Sequence, residues 1–332
     1  MSSRKIATRK LGKSGLQVTE VGLGCWQLGG EFGPISESDA HSIVESALDE
    51  GVRFFETADV YGAGQSENHL GEALFKSSAT TVVATKYGRA HGVYPDGYSF
   101  NSMRDSVLRS QDRLQRDKID LLQLHCIPHE QLEAGHVFDW LEELKLQGQI
   151  SHYGASVETL AQAKTCLKYE GISSIQLIFN LFRQTAVESL FDEAQRKQVG
   201  IIARVPLASG LLSGKLSKDT HFDESDHRFF NRQGDAFAIG ETFSGIDFET
   251  GLKHVNSLYR HYKPATLKMP EFALRWILAH PAVSCVIPGA SSAAQVIQNS
   301  RAANLPHLES TLHKNLFKFY NEQIKTTIKG EI

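Results

Sequence analysis

The chain has 332 residues, of which 41% are hydrophobic and 22% charged, so it can bury a sizeable core. Its formal net charge of −3, with both signs mixed along the chain, argues against a dedicated nucleic-acid-binding protein. The sequence contains neither a secretory signal pattern nor an apolar run of about 18 residues, so we expect a cytoplasmic protein without membrane spans.

Eight short β-rich segments alternate with amphipathic segments along the chain. Most of the β-rich segments are continuous apolar runs, which is typical of parallel strands covered on both faces. The predicted strands are 20–24, 53–57, 81–85, 119–124, 150–155, 174–179, 200–205 and 283–287. The predicted helices lie near 38–50, 67–76, 101–115, 137–147, 159–169, 188–198, 266–279 and 292–302.

This alternation predicts a closed (β/α)8 TIM barrel, an α/β fold of eight strand–helix units. The alternative is a doubly wound open sheet, which normally carries G-x-G-x-x-G in its first strand–helix turn. The corresponding segment here, Gly22-Leu-Gly24-Cys-Trp-Gln27, lacks the third glycine and therefore favours the barrel. No linker or change in composition divides the chain, so we expect a single domain over residues 1–332.

Two segments depart from the regular alternation. Residues 8–18 place Gly12-Lys-Ser-Gly15 between β-prone runs, which predicts a β-hairpin before the first barrel strand. Residues 208–250, after the seventh strand, are rich in Gly, Ser, Asp and Phe. A loop this long in a compact domain is usually functional or disordered, and its place on the C-terminal rim favours a lid or binding loop.

Three consecutive predicted strands end near ionisable residues. Glu56 and Tyr61 follow the second strand, Lys86 follows the third and His125 the fourth. Polar residues at the C-terminal ends of barrel strands converge on one site. One such residue alone would usually be structural, but three successive coincidences favour a catalytic site.

These residue types suit proton transfer to a carbonyl oxygen. A free tyrosine has a pKa of about 10, and a nearby lysine ammonium stabilises its phenolate. A carboxylate fixes the lysine, and a histidine donates a hydrogen bond that orients the carbonyl. Tyr61 would then act as the general acid. The protein has no hydride donor of its own, so carbonyl reduction would require a nicotinamide cofactor.

The chain resembles the aldo-keto reductase superfamily over nearly its full length. The shared motifs are Gly51-x-x-x-Phe55-Glu56-Thr-Ala58-x-x-Tyr61-Gly62, Ser66-Glu67-x-x-Leu70-Gly71, Ala84-Thr-Lys86, Asp120-Leu-x-Gln-Leu-His125, Tyr153-Gly-Ala-Ser156, Ile175-Gln176-x-x-x-Asn180, Pro206-Leu-Ala-Ser-Gly-Leu-Leu-Ser-Gly-Lys215 and Ile287-Pro-Gly-Ala-Ser291. The resemblance implies a barrel that reduces aldehydes or ketones with a nicotinamide cofactor, usually NADPH, and no metal.

The resemblance also assigns expected roles to the four ionisable residues. It implies that Tyr61 is the proton donor, that Lys86 lowers its pKa and that His125 orients the substrate. The fourth position is an aspartate in the family and is Glu56 here. Glutamate keeps the charge but adds a methylene, so its carboxylate must fold back to reach Lys86. Asp59 lies nearby, but its spacing does not match.

The cofactor-binding positions match the family less evenly. Ser156 and Gln176 match positions that bind the nicotinamide carboxamide. Arg204 replaces an aromatic residue that often stacks on the nicotinamide, and a planar guanidinium can also stack on a ring. The residues expected to contact the phosphates are Pro206, Leu207, Ser209, Gly210, Lys215 and Arg228. Those expected on the strand-eight and adenosine side are Gly289, Ser291, Gln295 and Asn299. Because the Gln295 position is often arginine in strongly NADP-selective members, we expect NADPH, with NADH as the alternative.

Other residues near these motifs have simpler interpretations. We expect Trp26 to line the substrate pocket. Cys126 and His129 lack a plausible third ligand, so we predict no metal site. Five aromatic residues of the long loop either cover the cofactor or pin the loop, and the sequence does not separate these options; they are Phe222, Phe229, Phe230, Phe237 and Phe243.

We therefore predict an NAD(P)H-dependent reductase of a small-molecule aldehyde or ketone, with Tyr61 as general acid. The alternative is a catalytically weak, cofactor-sensing regulatory protein on the same fold, like the potassium-channel β subunits that the family includes. Glu56 and Arg204 keep that alternative open, whereas His125 favours the enzyme. A cofactor-free hydrolase or lyase has little support. The sequence does not indicate the physiological substrate or the oligomeric state.

Overall fold

The structure, a computed structural model, describes residues 6–331. Eight parallel strands in this range form a curled sheet in which each strand pairs with the next one along the chain. Two further strands, β1 and β2, precede them. The strands are β1 Thr8–Lys10, β2 Gln17–Thr19, β3 Leu23–Gly24, β4 Phe54–Glu56, β5 Val82–Tyr87, β6 Ile119–His125, β7 Ile150–Ser156, β8 Ile172–Ile178, β9 Gly200–Arg204 and β10 Val283–Val286.

The first and last strands of the sheet meet and close it. Parallel bridges join Val21 to Val286 and Gly24 to Gly289. The Val286 N–H also donates a hydrogen bond of 2.9 Å to the carbonyl of Glu20. Closure leaves no free edge on the parallel sheet. The predicted (β/α)8 barrel is therefore confirmed.

The predicted N-terminal hairpin is also confirmed, because β1 and β2 pair antiparallel. The Arg9 guanidinium fixes the hairpin to the barrel by donating to the Glu20 carboxylate and the Val283 carbonyl, each at 2.7 Å. The hairpin also closes the N-terminal end of the barrel, where it shares one apolar cluster with inward-facing strand residues. That cluster consists of Leu11, Val18, Phe54, Ala84, Leu121, Ile202, Cys285 and Ile287.

Helices cover the outside of the sheet and follow the strands in chain order. They are α1 Glu37–Asp49, α2 Gln65–Phe75, α3 Phe100–Leu114, α4 His129–Ala134, α5 His136–Leu146, α6 Leu160–Cys166, α7 Ala186–Ser189, α8 Phe191–Arg196, α9 His227–Phe230, α10 Phe248–His261, α11 Met269–Leu278, α12 Ala293–Ser300 and α13 Ser310–Phe319. Among the described residues, no helix has the length and apolarity needed to cross a membrane.

The helix predictions differ from the structure in a few places. The segment near 188–198 forms two short helices, α7 and α8, rather than one. Helix α4 is too short for a periodic pattern, and α13 lies beyond the eight-unit repeat, so neither was predicted. Helix α10 was also missed because it follows directly on the irregular segment that begins after β9.

Local side-chain caps explain where several helices begin. The Ser36 hydroxyl accepts the Asp39 N–H at 3.1 Å and caps α1. At the start of α6, Thr159 and Gln162 accept each other's backbone N–H groups in a capping box, each at 3.2 Å. Such caps satisfy amide groups that would otherwise lack partners, and they are encoded locally in the sequence.

The close packing of α2 against α3 requires a glycine. A methyl group at Gly71 would lie 2.8 Å from the Cα of Leu114 and would also collide with the carbonyl of Arg113. We expect Gly71→Ala to lower the free energy of unfolding by about 1–3 kcal/mol, because the two helices must move apart. Chemical denaturation measures this change.

Asn68→Ala, at an exposed position on the same helix, is the matched control. We expect it to leave the stability nearly unchanged. Equal stability of Gly71→Ala and the native protein would contradict the proposed close packing.

Candidate active site

Six consecutive barrel strands each carry a predicted site residue at or near the C-terminal end. In chain order these residues are Glu56, Lys86, His125, Ser156, Gln176 and Arg204. The strand ends open into a cavity of about 620 Å³. Every site residue predicted from the sequence lines this cavity except Lys86, which lies behind the wall. The remaining lining residues of that set are Trp26, Tyr61, Pro206, Leu207, Ser209, Gly210, Lys215, Arg228, Gly289, Ser291, Gln295 and Asn299.

Lys86 joins the tyrosine to the carboxylate. Its side chain is only 1% exposed, and its Nζ forms an ion pair with Oε1 of Glu56. The same Nζ lies 2.8 Å from the Tyr61 hydroxyl and donates to the Thr57 carbonyl at 2.8 Å. A buried ammonium requires this kind of full pairing, because its desolvation is costly. The longer carboxylate of Glu56 therefore does reach Lys86, as its expected role requires.

A tight turn after β4 places the Tyr61 ring in the cavity wall. Gly62 has φ +56°, and a Cβ there would lie 2.8 Å from the Cα of Gly29, so this position requires glycine. The Glu31 carboxylate accepts the Gly62 N–H at 2.7 Å and holds the turn. On the other side, Trp26 stacks on Tyr61 with ring centroids 5.8 Å apart. The Glu31–Gly62 hydrogen bond and the Trp26 ring together position the Tyr61 side chain.

The pKa of Tyr61 moves in the direction opposite to the one expected from the sequence. Burial raises this pKa well above its ordinary value, and the carboxylates of Glu56 and Glu241 raise it further. The expectation of a lowered pKa considered the Lys86 ammonium but not the burial of the hydroxyl or the second carboxylate. Tyr61 consequently holds its proton at neutral pH, which is the state that a general acid requires.

His125 is a neutral imidazole beside this hydroxyl. Its ring meets the Tyr61 ring edge-on, with centroids 5.8 Å apart. Burial lowers its pKa well below the usual range, and the cations of Lys86, Arg89 and Arg204 lower it further. A neutral imidazole has one N–H to donate, so it can orient a carbonyl oxygen without supplying a full charge.

The two predicted carboxamide-binding residues form one hydrogen-bonded chain with Glu56. The Ser156 hydroxyl donates to Oε1 of Gln176 at 2.9 Å. At the other end of the amide, Nε2 of Gln176 donates to Oε1 of Glu56 at 2.9 Å. This link between the catalytic candidates and the cofactor-binding candidates was not predicted from the sequence.

Arg204 is held by a carboxylate from the long loop after β9. The buried guanidinium forms an ion pair with Glu241 and donates to the carbonyl of Val157 at 2.9 Å. The Ser209 hydroxyl donates to the Glu241 carbonyl at 2.7 Å. The sequence contains no signal for Glu241, because the loop that carries it has no regular pattern.

The part of the cavity that follows β9 has the features of an anion site. The backbone after β9 has positive φ at Ala208, Ser209 and Gly210, with values of 47°, 52° and 98°. Backbone N–H groups in such turns form concave anion-binding surfaces. Arg228 borders this turn and forms an ion pair with Asp226, with Nη2 2.5 Å from Oδ2.

The strand-eight side of the cavity is shaped by short polar contacts. The Ser291 N–H donates to the Gln295 side chain at 2.8 Å, and Asn299 donates to the Gly289 carbonyl at 3.4 Å. A Cβ at Gly289 would collide with the Gln27 side chain. The Oε1 of Gln27 is buried without a hydrogen-bond partner among the described residues. This side of the cavity therefore has unused polar capacity.

Aromatic residues form the wall near Tyr61, as expected for Trp26. Further lining residues that the sequence analysis missed are Phe32, Arg89 and Tyr94. The Arg89 guanidinium lies 4.5 Å from the Tyr94 ring centroid and forms an ion pair of 2.8 Å with Glu158. Arg89 lies three residues after Lys86, just beyond the C-terminal end of β5. This position after a strand end is the sequence signal by which Arg89 could have been predicted to line the cavity.

The structure separates the two options for the aromatic residues of the long loop. Phe237 lines the cavity. Phe222 and Phe243 instead pack together with Phe248, at centroid distances of 5.9 and 5.0 Å, and pin the loop. Phe229 and Phe230 are exposed. The loop thus has both a lining function and a packing function, carried by different residues.

Cys126 and His129, considered above as metal ligands, have separate partners. The Cys126 thiol lies 3.7 Å from the Ser156 hydroxyl, whereas the His129 ring bonds to Thr165 at 2.9 Å. The two side chains therefore belong to different parts of the structure.

Comparisons with known proteins agree with this fold. The model of the aldo/keto reductase family matches residues 20–319. The chain is 32% identical to the uncharacterized oxidoreductase YqkF of Bacillus subtilis, over 90% of this chain and 92% of the relative. It is 30% identical to L-galactose dehydrogenase of Arabidopsis thaliana, with coverage of 92% and 90%. The holo form of aldo-keto reductase AKR11C1 from Bacillus halodurans superimposes with a TM-score of 0.75 and 29% identity, over 94% of this chain and 96% of that one.

The chain therefore belongs to the aldo/keto reductase family of oxidoreductases. The predicted family membership is confirmed.

The Arg204–Glu241 pair gives a test of how the long loop is held. We expect Glu241→Gln to destabilise the protein by about 3–5 kcal/mol, because it leaves a buried guanidinium without its counter-charge. Thermal denaturation measures the loss, and limited proteolysis should show faster cleavage between residues 214 and 240.

The matched control is Glu249→Gln, an exposed position in the first turn of α10. We expect this control to behave like the native protein in both measurements. Native-like stability and cleavage of Glu241→Gln would contradict the anchoring role of the ion pair.

Proposed function

We propose that the protein is an NAD(P)H-dependent reductase that converts a small aldehyde or ketone to the alcohol. The observation that carries this proposal is the buried chain from Glu56 through Lys86 to the Tyr61 hydroxyl, which ends in the cavity beside neutral His125. Such a chain can deliver one proton to a carbonyl oxygen at a defined point. The resemblance of the motifs to the family supports the same reading.

The shape of the cavity fits a dinucleotide. The unpartnered Gln27 oxygen, which packs against Gly289, and the positive-φ turn at 208–210 offer polar contacts in the cavity. Lys215 and Arg228 line the same cavity and would face the phosphates. Ser156 and Gln176 would hold the carboxamide, and the Arg204 guanidinium would lie against the nicotinamide ring. When bound, the reduced nicotinamide supplies the hydride.

We expect NADPH as the cofactor, with NADH as the alternative. The lining residues contributed by the segment after β10 and by α12 are uncharged; they are Pro288, Gly289, Ser291, Gln295, Gln298 and Asn299. A 2′-phosphate at that end would therefore depend on cations from the long loop. Comparing NADPH and NADH by fluorescence titration measures this preference directly.

The protein residues would divide the chemistry between them. His125 donates its N–H to the substrate oxygen and orients it. Tyr61 gives its proton to that oxygen as negative charge develops there. Lys86 then stabilises the phenolate that remains, and Glu56 keeps the ammonium in place. Trp26, Phe32 and Phe237 exclude water from the reacting carbonyl, which strengthens these electrostatic interactions.

A direct test combines binding with turnover. The native protein is titrated with NADPH and NADH, and a panel of small aldehydes and ketones is then followed by the loss of nicotinamide absorbance. Cofactor-dependent turnover is the expected result. Tight nucleotide binding without turnover on any carbonyl would instead favour a regulatory, cofactor-sensing protein, and the absence of nucleotide binding would reject both.

Removing the Tyr61 hydroxyl should separate catalysis from binding. We expect Tyr61→Phe to lower kcat by about 10²–10⁴-fold while the Kd for the cofactor changes little, because only the proton donor is lost. Steady-state kinetics and fluorescence titration measure the two quantities. Tyr259→Phe, an exposed position on α10, should leave both unchanged. Full activity of Tyr61→Phe would contradict the proposal.

The pH dependence follows from the two shifted pKa values. The active form has Tyr61 protonated and His125 neutral. Activity falls when pH rises through the raised pKa of Tyr61 or drops through the lowered pKa of His125. We therefore expect kcat for carbonyl reduction to change little between roughly pH 6 and 9. An acid or alkaline limb within that range, measured with saturating substrate and cofactor, would contradict these assignments.

A further inference from the structure

The glutamate at position 56 makes a contact that its expected role does not require. Its Oε1 receives both the Lys86 ammonium and the side-chain amide of Gln176, the latter at 2.9 Å. Glu56 and Gln176 are both buried, with exposures of 3% and 1%. A buried contact of this kind is well defined and is not weakened by competition with water.

The contact fixes which way the Gln176 amide points. A carboxylate is an acceptor only, so the group of Gln176 that faces Glu56 must be the NH₂. The amide oxygen then points the other way, where it accepts the Ser156 hydroxyl at 2.9 Å. Nε2 is also 3.4 Å from Oε1 of Gln123, a second acceptor on the same side. Gln176 therefore presents its oxygen, and not its nitrogen, towards Ser156, which lines the same cavity.

We propose that Glu56 is a positioning residue for nicotinamide recognition, because it locks the Gln176 amide so that its oxygen accepts the carboxamide NH₂ of the cofactor. This role rests on the proposed function and adds to it. Ser156 and Gln176 bind the carboxamide, while Glu56, through the length of its side chain, selects the ligand that offers an N–H donor. The same Glu56 oxygen also pairs with Lys86, and Lys86 in turn positions the hydroxyl of the proton-donating Tyr61.

The extra methylene of glutamate is what allows both contacts. Shortening the side chain by one carbon–carbon bond withdraws the carboxylate by about 1.5 Å, so it can no longer reach both donors. Lys86 is charged and its hydrogen bond is the stronger, so the aspartate should keep Lys86 and release Gln176. A released amide can turn over and donate its N–H to the cavity instead.

The test uses binding rather than turnover. Oxidised NADP and its 3-acetylpyridine analogue differ in that an acetyl group replaces the carboxamide, which removes the N–H donor but keeps the carbonyl. We expect the native protein to bind NADP about tenfold more tightly than the analogue, and Glu56→Asp to bind the two with similar Kd values. Isothermal titration calorimetry measures both constants. Adenosine 2′,5′-bisphosphate, which lacks the nicotinamide, should bind both proteins equally and reports that the variant is folded.

Two further variants test whether the effect passes through Gln176. Gln176→Ala should lose the discrimination by itself, and adding Glu56→Asp to it should have no further effect on the ratio of Kd values. Glu56→Gln keeps the side-chain length and its amide oxygen can still accept from Gln176, so it should retain part of the preference. Glu20→Asp, the same shortening at the opposite end of the barrel, should match the native protein.

The outcomes distinguish this role from the proposed function. If the native protein binds NADP but Glu56→Asp keeps the full preference for the carboxamide, the positioning role is wrong and the proposed function stands. An additive effect of the two substitutions would also overturn it, because Glu56 would then act by another route. If the native protein binds neither NADP nor NAD, the proposed function fails, and the positioning role with it.

Discussion

The burial of the Lys86 ammonium is the constraint on which the site depends. An ammonium that is 1% exposed must be neutralised and fully hydrogen-bonded, and the structure does this with a carboxylate, a carbonyl and a phenol from the strand β4 and the turn that follows it. The need to neutralise and hydrogen-bond the Lys86 ammonium therefore sets the geometry of Glu56, Thr57 and Tyr61. Removing any partner would leave a buried charge unpaired. The free-energy cost of that unpaired charge exceeds the net stabilisation that the ion pair provides.

A second buried ion pair lines the same cavity. Arg204 at the end of β9 is neutralised by Glu241, and that carboxylate arrives on the long loop. The loop is thus attached to the barrel at the residue expected to lie against the nicotinamide. The same carboxylate contributes to the raised pKa of Tyr61, so the loop affects the proton donor as well as the walls of the cavity. The electrostatics of the site therefore depend on a long segment that contains only short helical turns.

Much of the fold and of the site was predictable from the sequence. Strands such as 119–124 and 200–205 are continuous apolar runs, and their burial on both faces follows from composition alone. Tyr61, Lys86 and His125 were identified because each follows a strand, and a barrel brings strand ends together. Glu241, Phe32 and the Gln176–Glu56 bond were not identified. Their partners lie 37, 195 and 120 residues away in the chain, counted to Arg204, His227 and Glu56, and no local pattern records such contacts.

The sequence by itself determined the eight strand–helix units, the hairpin, the helix caps and the family motifs, because these depend on side-chain type, period and spacing. The tertiary structure decided the direction in which the pKa of Tyr61 shifts, the counter-ion of Arg204 and the orientation of the Gln176 amide. These three properties depend on burial and on charges brought together from distant segments. A lysine near a tyrosine suggests a lowered pKa, but burial in the closed barrel and the carboxylates of Glu56 and Glu241 raise the pKa of Tyr61.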